Sequence, residues 1–163
     1  FGSIISYKFM KVAIQASNFV KNERQSALQK TARILLGCFM VLAGIGHLTF
    51  QRKEFRAQVP NWLPVSKDFT VVASGMVEIA LGLALIFWLK KRKQSGIALA
   101  IFYVLVFPGN IAQYLNHTNA FGLDTDEKRF ARLFFQPVLI AWALWCTGAL
   151  KTSKTPNDKL SKS

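Results

Sequence analysis

Ser74-Gly75-Met76-Val77-Glu78-Ile79-Ala80-Leu81-Gly82 lies in the middle of an apolar run, 69–89, in which Glu78 is the only charged residue. A helix of ~20 mostly apolar residues crosses the ~30 Å hydrocarbon core of a bilayer, and this run is long enough to do so. On a helix, Gly75, Glu78 and Gly82 share one face, because residues three and four apart stack above one another. Working outward, runs of similar length and composition occupy 31–50, 95–115 and 130–150. The pattern specifies an all-α protein, a bundle of four transmembrane helices.

The charges are segregated from these runs. Of 163 residues 52% are hydrophobic, yet 21 Lys and Arg against 8 Asp and Glu leave a formal charge of +13. A basic soluble protein that binds nucleic acid spreads its cations along its elements and keeps its apolar runs short. Here the cations fill the gaps between runs, which argues for lipid and against nucleic acid as the partner. With spans so closely spaced, no separate soluble domain fits. The expected division is a segment 1–28, a membrane domain 29–151 and a flexible basic tail 152–163. In the first segment Lys8, Lys11, Gln15, Asn18 and Asn22 recur at helical spacing opposite Ile5, Phe9, Val12 and Phe19, the pattern of an amphipathic interfacial helix.

Short loops rich in Lys and Arg stay in the cytoplasm. Fourteen cations, Arg33 and the Lys90-Lys91-Arg92-Lys93 turn among them, fall on the side of the two termini, and seven on the other. The expected topology is N-in, C-in.

An ionisable side chain in hydrocarbon is by default a functional hypothesis, since its insertion is scored at about 2.5–3.5 kcal/mol at mid-depth. Glu78 sits ~14 Å from the outer end of its span at 1.5 Å per residue. His47 closes the first span, Asn110 and Gln136 lie in the outer halves of the third and fourth, and Tyr103 shares a helical face with Asn110. Gly37, Gly44 and His47 share a face of the first helix, and small residues at this spacing mark helix contacts, so His47 and Glu78 are expected to look into the bundle. The candidate ligand-binding residues are Glu78, His47, Tyr103, Asn110 and Gln136, around an outward-facing polar pocket. The bland alternative is that they are interhelical hydrogen bonds. Pro108 removes a backbone donor and leaves a carbonyl near Val104 for a neighbouring helix or water to satisfy. The loop holding Phe55, Pro60, Trp62 and Pro64 suits a rigid interfacial cap over the pocket or an aromatic anchor. Cys38 and Cys146 are the only cysteines and His47 and His117 the only histidines, so neither a paired-cysteine motif nor a metal-ligand spacing is present. The sequence requires no cofactor.

The motifs taken in order resemble a family. Leu36-Gly37, Ala43-Gly44-Ile45-Gly46-His47, Val59-Pro60 with Pro64, Ser74-Gly75 with Glu78-Ile79 and Leu81-Gly82, Phe107-Pro108-Gly109-Asn110, and Arg132 with Gln136 resemble the DoxX-like membrane proteins over about 31–150. The resemblance implies a four-helix bundle of prokaryotic type in the bacterial inner membrane. It also implies partnership with other membrane subunits or copies of itself, since some members are associated with quinone-linked sulfur oxidation or thiol-redox complexes. Related animal proteins look like assembly chaperones for ion channels. A quinone is the cofactor this implies. The second functional expectation is a non-enzymatic chaperone or structural subunit.

Overall fold

The computed structural model describes Lys11 and residues 25–150. The expected amphipathic segment, save Lys11 and residues 25–28, and the basic tail 152–163 lie outside the described residues.

Helix α1 (Ala27–Leu48) begins at a capping box: Gln29 N–H donates to Ser26 Oγ at 3.1 Å, and Ser26 N–H donates to Gln29 Oε1 at 3.2 Å. This satisfies two donors that a helix start leaves unpaired, and it sets the first span a turn earlier than apolarity alone suggests. A short α2 (Arg52–Gln58) follows, where the prolines lead one to expect an irregular cap. Its residues tolerate helix, and the restriction Pro60 places on Val59 ends it. Ser66 caps α3 (Lys67–Phe87), a 3₁₀ turn (Leu89–Lys91) leads into α4 (Arg92–Leu115), and Thr125 caps α5 (Asp126–Thr147). Helices α1, α3, α4 and α5 are each long and apolar enough to cross a membrane. They make an all-α four-helix membrane bundle. Successive spans alternate in direction, so α2 and the α4–α5 loop share one end of the bundle and the 3₁₀ turn lies at the other.

Packing follows small residues. A Cβ on Gly44 would sit 2.6 Å from the Gly75 carbonyl oxygen, and one on Gly82 would sit 2.7 Å from that of Gly37. Backbone therefore meets backbone along the α1–α3 seam, the geometry that glycine permits in membrane helices. Towards the 3₁₀ end the four spans share an apolar core of Leu36, Met40, Leu85, Leu99, Phe102, Tyr103, Ala143 and Cys146. The rest of the distribution is inverted relative to a water-soluble bundle. Leu35, Phe39, Leu42, Met76, Leu105, Phe134 and Phe135 are exposed, while Glu78, Gln113, Gln136 and Arg33 are buried. A bilayer solvates those apolar side chains, and the interior satisfies the polar ones.

One expectation changes at the 3₁₀ end. Arg33, counted in sequence as a cation flanking the first span, lies inside α1 and is 1% exposed. It donates to the Ile86 carbonyl at 3.3 Å in the last turn of α3, where the helix dipole is negative. Gln29 and Gln25 likewise donate to the Trp145 and Cys146 carbonyls of α5 at 2.9 and 2.6 Å. The start of α1 thus caps two neighbouring helix ends. Cys38 is exposed and Cys146 buried in the core, so they face different surroundings and both are free thiols.

Candidate functional site

The Gly44–Gly75 approach carries the last turn of α1 against the middle of α3; a Cβ on Gly75 would lie 2.7 Å from His47 Cβ. Three residues on, Glu78 Oε2 lies 2.8 Å from His47 Nδ1, with the two side chains 11% and 9% exposed. The same nitrogen lies 3.0 Å from the Ala43 carbonyl oxygen. A carbonyl can only accept, so this geometry places the proton on Nδ1, which donates to Ala43, while Glu78 Oε2 lies beside it with no hydrogen-bond partner among the described residues. An imidazole and a carboxyl are thus held side by side out of water.

The pair is roofed. Phe55 of α2 stacks on the imidazole with ring centroids 3.3 Å apart and planes inclined by 17°. Phe121, from the α4–α5 loop, meets Phe55 edge-on at 4.6 Å, and the Arg132 guanidinium lies 4.7 Å over the Phe121 ring. Glu54 fastens α2 to that loop by accepting the Phe121 N–H at 2.7 Å. Phe121 holds φ at 57°, a conformation that costs a bulky residue energy and persists only where its surroundings over-determine it. Here the restraints are the Glu54 carboxylate, the Phe55 ring and Arg132.

The remaining candidates form a second group. Asn110 donates to Gln136 Oε1 at 2.9 Å, and Gln136 Nε2 donates to the Tyr103 carbonyl at 2.5 Å. That carbonyl lies one residue from the position at which Pro108 is expected to leave an acceptor, and a side chain of the neighbouring helix reaches it. The Tyr103 hydroxyl turns to Met40 Sδ at 3.0 Å and lies within electrostatic reach of Glu78. The five candidates therefore divide into an acid–imidazole pair (His47, Glu78) and an amide chain (Asn110, Gln136 and the Tyr103 carbonyl).

Several residues that matter here carry little signal in sequence. Gln58 of α2 is buried, hydrogen-bonded to Gln113 and 3.3 Å from Arg132. Arg129, 5% exposed, organises the α4–α5 loop by donating to the Thr118 carbonyl at 3.3 Å, the Asp124 carbonyl at 3.1 Å, the Asp126 carboxylate at 2.5 Å and the Asn119 side chain. In sequence it is one cation in a tally, and the available signal is only the cluster of Asn, Thr and Asp acceptors preceding a helix start. Arg129→Ala is expected to loosen the loop, raising amide exchange over 118–126 by about tenfold or more, because several charge-assisted bonds go at once. Arg129→Lys should recover only part of the protection, since an ammonium cannot reproduce the planar fork. Unchanged exchange in Arg129→Ala would show that the loop is held otherwise.

Four apolar helices with a buried acid–imidazole pair under an aromatic roof define a small multi-pass membrane protein built around an intramembrane polar site. Residues 36–147 match the family described as a domain of unknown function (DUF8561), and the chain belongs to that family. No curated protein and no solved structure matches it.

Proposed function

We propose that this protein is an accessory subunit of a membrane complex, DoxX-like in kind, in which the His47–Glu78 pair exchanges a proton with a small ligand such as a quinone. The observation that supports this reading is the 2.8 Å contact between a buried imidazole and a buried carboxyl, covered by the Phe55 ring. An acid and a base held together out of water are suited to general acid–base work, and a flat ring such as Phe55 is a surface on which a quinone-like ring stacks. The test is Glu78→Gln. Glutamine keeps the shape of the glutamate side chain while removing its ionisable oxygen, so the fold is expected to stay. Expected are normal insertion, loss of ligand binding or of the activity of the co-purified complex, and no rescue by raising the pH. Full activity of Glu78→Gln in its native membrane would leave the second reading, a non-enzymatic chaperone or structural subunit. The Asn110–Gln136–Tyr103 chain of interhelical hydrogen bonds favours that second reading for those three residues.

The same proposal places both termini and the Lys90–Arg92 turn in the cytoplasm of a bacterial inner membrane, on the strength of the cation bias. In a Cys38→Ser background, single cysteines at the exposed positions Lys53 and Glu127 are expected to react with an impermeant thiol reagent added to intact cells, and one at Gln94 only after lysis. The reverse pattern would invert the topology.

A further inference from the structure

A cavity of about 330 Å³ opens at the α2 end of the bundle, separate from the His47–Glu78 pair and lined by Gln58, Val59, Pro60, Asn61, Lys67, Asn116 and their neighbours. We propose that it binds the phosphate group of an anionic lipid headgroup. Three observations converge on this. The first is chemical: the lining offers an ammonium from Lys67 and amide groups from Gln58, Asn61 and Asn116, with no carboxylate. Arg132 donates to Gln58 Oε1 of the lining at 3.3 Å. At this end Arg52 and Arg56 are paired with Asp68, Lys128 with Asp124 and Arg129 with Asp126. Among the described residues, no carboxylate lies within salt-bridge distance of Lys67 or Arg132. Donors from separate segments around a positive centre suit an oxyanion that accepts several hydrogen bonds at once.

The second observation is depth. Lys67 is the first residue of α3, and Asn116 caps the last turn of α4. Both stand where a span leaves hydrocarbon, the level at which lipid phosphates lie. The third is the surface beside the lining in sequence. Trp62, Phe69 and Leu115 are exposed, giving an aromatic and apolar border of the kind that settles at a membrane interface. A lipid with its phosphate in the cavity would lay its chains along these residues. The volume lies at the small end of ligand sites, which fits a headgroup better than a whole drug-sized molecule. Free phosphate presents the same oxygens, and the experiment separates the two sources.

The full chain, purified in a neutral detergent, is titrated calorimetrically with a short-chain phosphatidylglycerol and, separately, with inorganic phosphate. Lys67→Gln is the test variant, and Lys53→Gln, which removes an exposed cation outside the lining, is the charge-matched control. Asn61→Ala serves as a second lining variant from the α2–α3 connection. Saturable lipid binding that weakens about tenfold in Lys67→Gln, as loss of one charged hydrogen bond implies, and stays unchanged in Lys53→Gln supports the proposal. If inorganic phosphate alone binds with the same dependence on Lys67, the oxyanion site stands and the headgroup assignment falls. Equal weakening by Lys67→Gln and Lys53→Gln would reduce the effect to surface charge and overturn the site. So would absence of saturable binding, or retention of full affinity by both lining variants. None of these outcomes depends on whether Glu78 exchanges protons.

Discussion

Gly75→Leu is expected to destroy the α1–α3 pair and with it most of the folded protein. A Cβ at this position already meets His47 Cβ at 2.7 Å and the Gly44 carbonyl oxygen at 2.9 Å. Neither is the far end of a flexible side chain. One is fixed by the His47–Glu78 contact and the other is backbone, so the helices must separate. Overpacking of this kind costs about 1–3 kcal/mol for an added methyl that forces backbone shifts, and a leucine adds three more carbons. Gly75→Ala should therefore lower the melting temperature measurably, and Gly75→Leu should prevent recovery of monodisperse protein. Gly44→Ala should behave like Gly75→Ala, because each Cβ points at the other helix. The double alanine variant should cost less than the sum, since once the seam has opened the second methyl finds room. A Gly75→Leu protein that melts with the wild type would refute the close-packed seam. Separation of the helices would also pull His47 from Glu78, so packing and site are disturbed together.

The second large effect lies in the pair itself. His47→Leu is expected to destabilise the bundle by about 3–5 kcal/mol, the cost of breaking a buried pair and leaving one member without its partner. Glu78→Leu should cost less, because His47 Nδ1 keeps the Ala43 carbonyl as its acceptor. Replacing both by leucine should recover most of the loss, as well-packed apolar residues often match a buried ion pair in stability. Glu78→Gln, which preserves the shape of the side chain, should differ little from the wild type. The magnitudes separate this from a plain interhelical hydrogen bond, which in membrane proteins averages ~0.6 kcal/mol. Chemical unfolding of the four variants in bicelles gives the comparison. Single substitutions costing well under 1 kcal/mol would demote the pair to ordinary helix glue, on the membrane scale just cited. If Glu78→Gln is stable but inactive and Glu78→Leu is unstable, the two roles of one carboxyl are resolved.

Much of the architecture was legible in the residues. Hydrocarbon admits a backbone only when its polar groups are satisfied within the segment, so a long apolar run dictates a helix of known length. Four such runs dictate four spans, and Gly37, Gly44, Gly75 and Gly82 mark the faces that touch. A lone Glu78 on a glycine face must look inward, and His47 on the matching face of the first helix is a natural neighbour. Pro108 likewise announces that a carbonyl near position 104 needs an outside donor, and the side chain that reaches this turn, Gln136, donates to the carbonyl next to it, at Tyr103. These inferences succeed because each follows from a local rule with a fixed period or a missing atom.

What only the tertiary structure decided is which polar groups share protons and which merely complete one another. In sequence, His47, Glu78, Asn110 and Gln136 form one set of polar positions in the outer half of the bundle, with Tyr103 on the same helical face as Asn110. In the fold, a rotation of each helix by a fraction of a turn sorts them into the acid–imidazole pair and the amide chain. A cap over the pocket was expected from the loop holding Phe55, but its contacts were hidden: Phe55 finds His47, and Glu54 finds the Phe121 N–H, only because α2 folds back over the bundle, and a seven-residue helix has no hydropathy signal of its own. Arg33 was misplaced for a related reason. Charge counts treat a cation near a span end as solvated, whereas the carbonyls closing α3 give it partners inside. Periodicity and hydrophobicity are properties of one helix, and they fix where it runs and which face is buried. Hydrogen bonds between helices depend on relative rotation and depth, set by side-chain packing across seams distant in sequence, so the chemistry of this site is determined at that level.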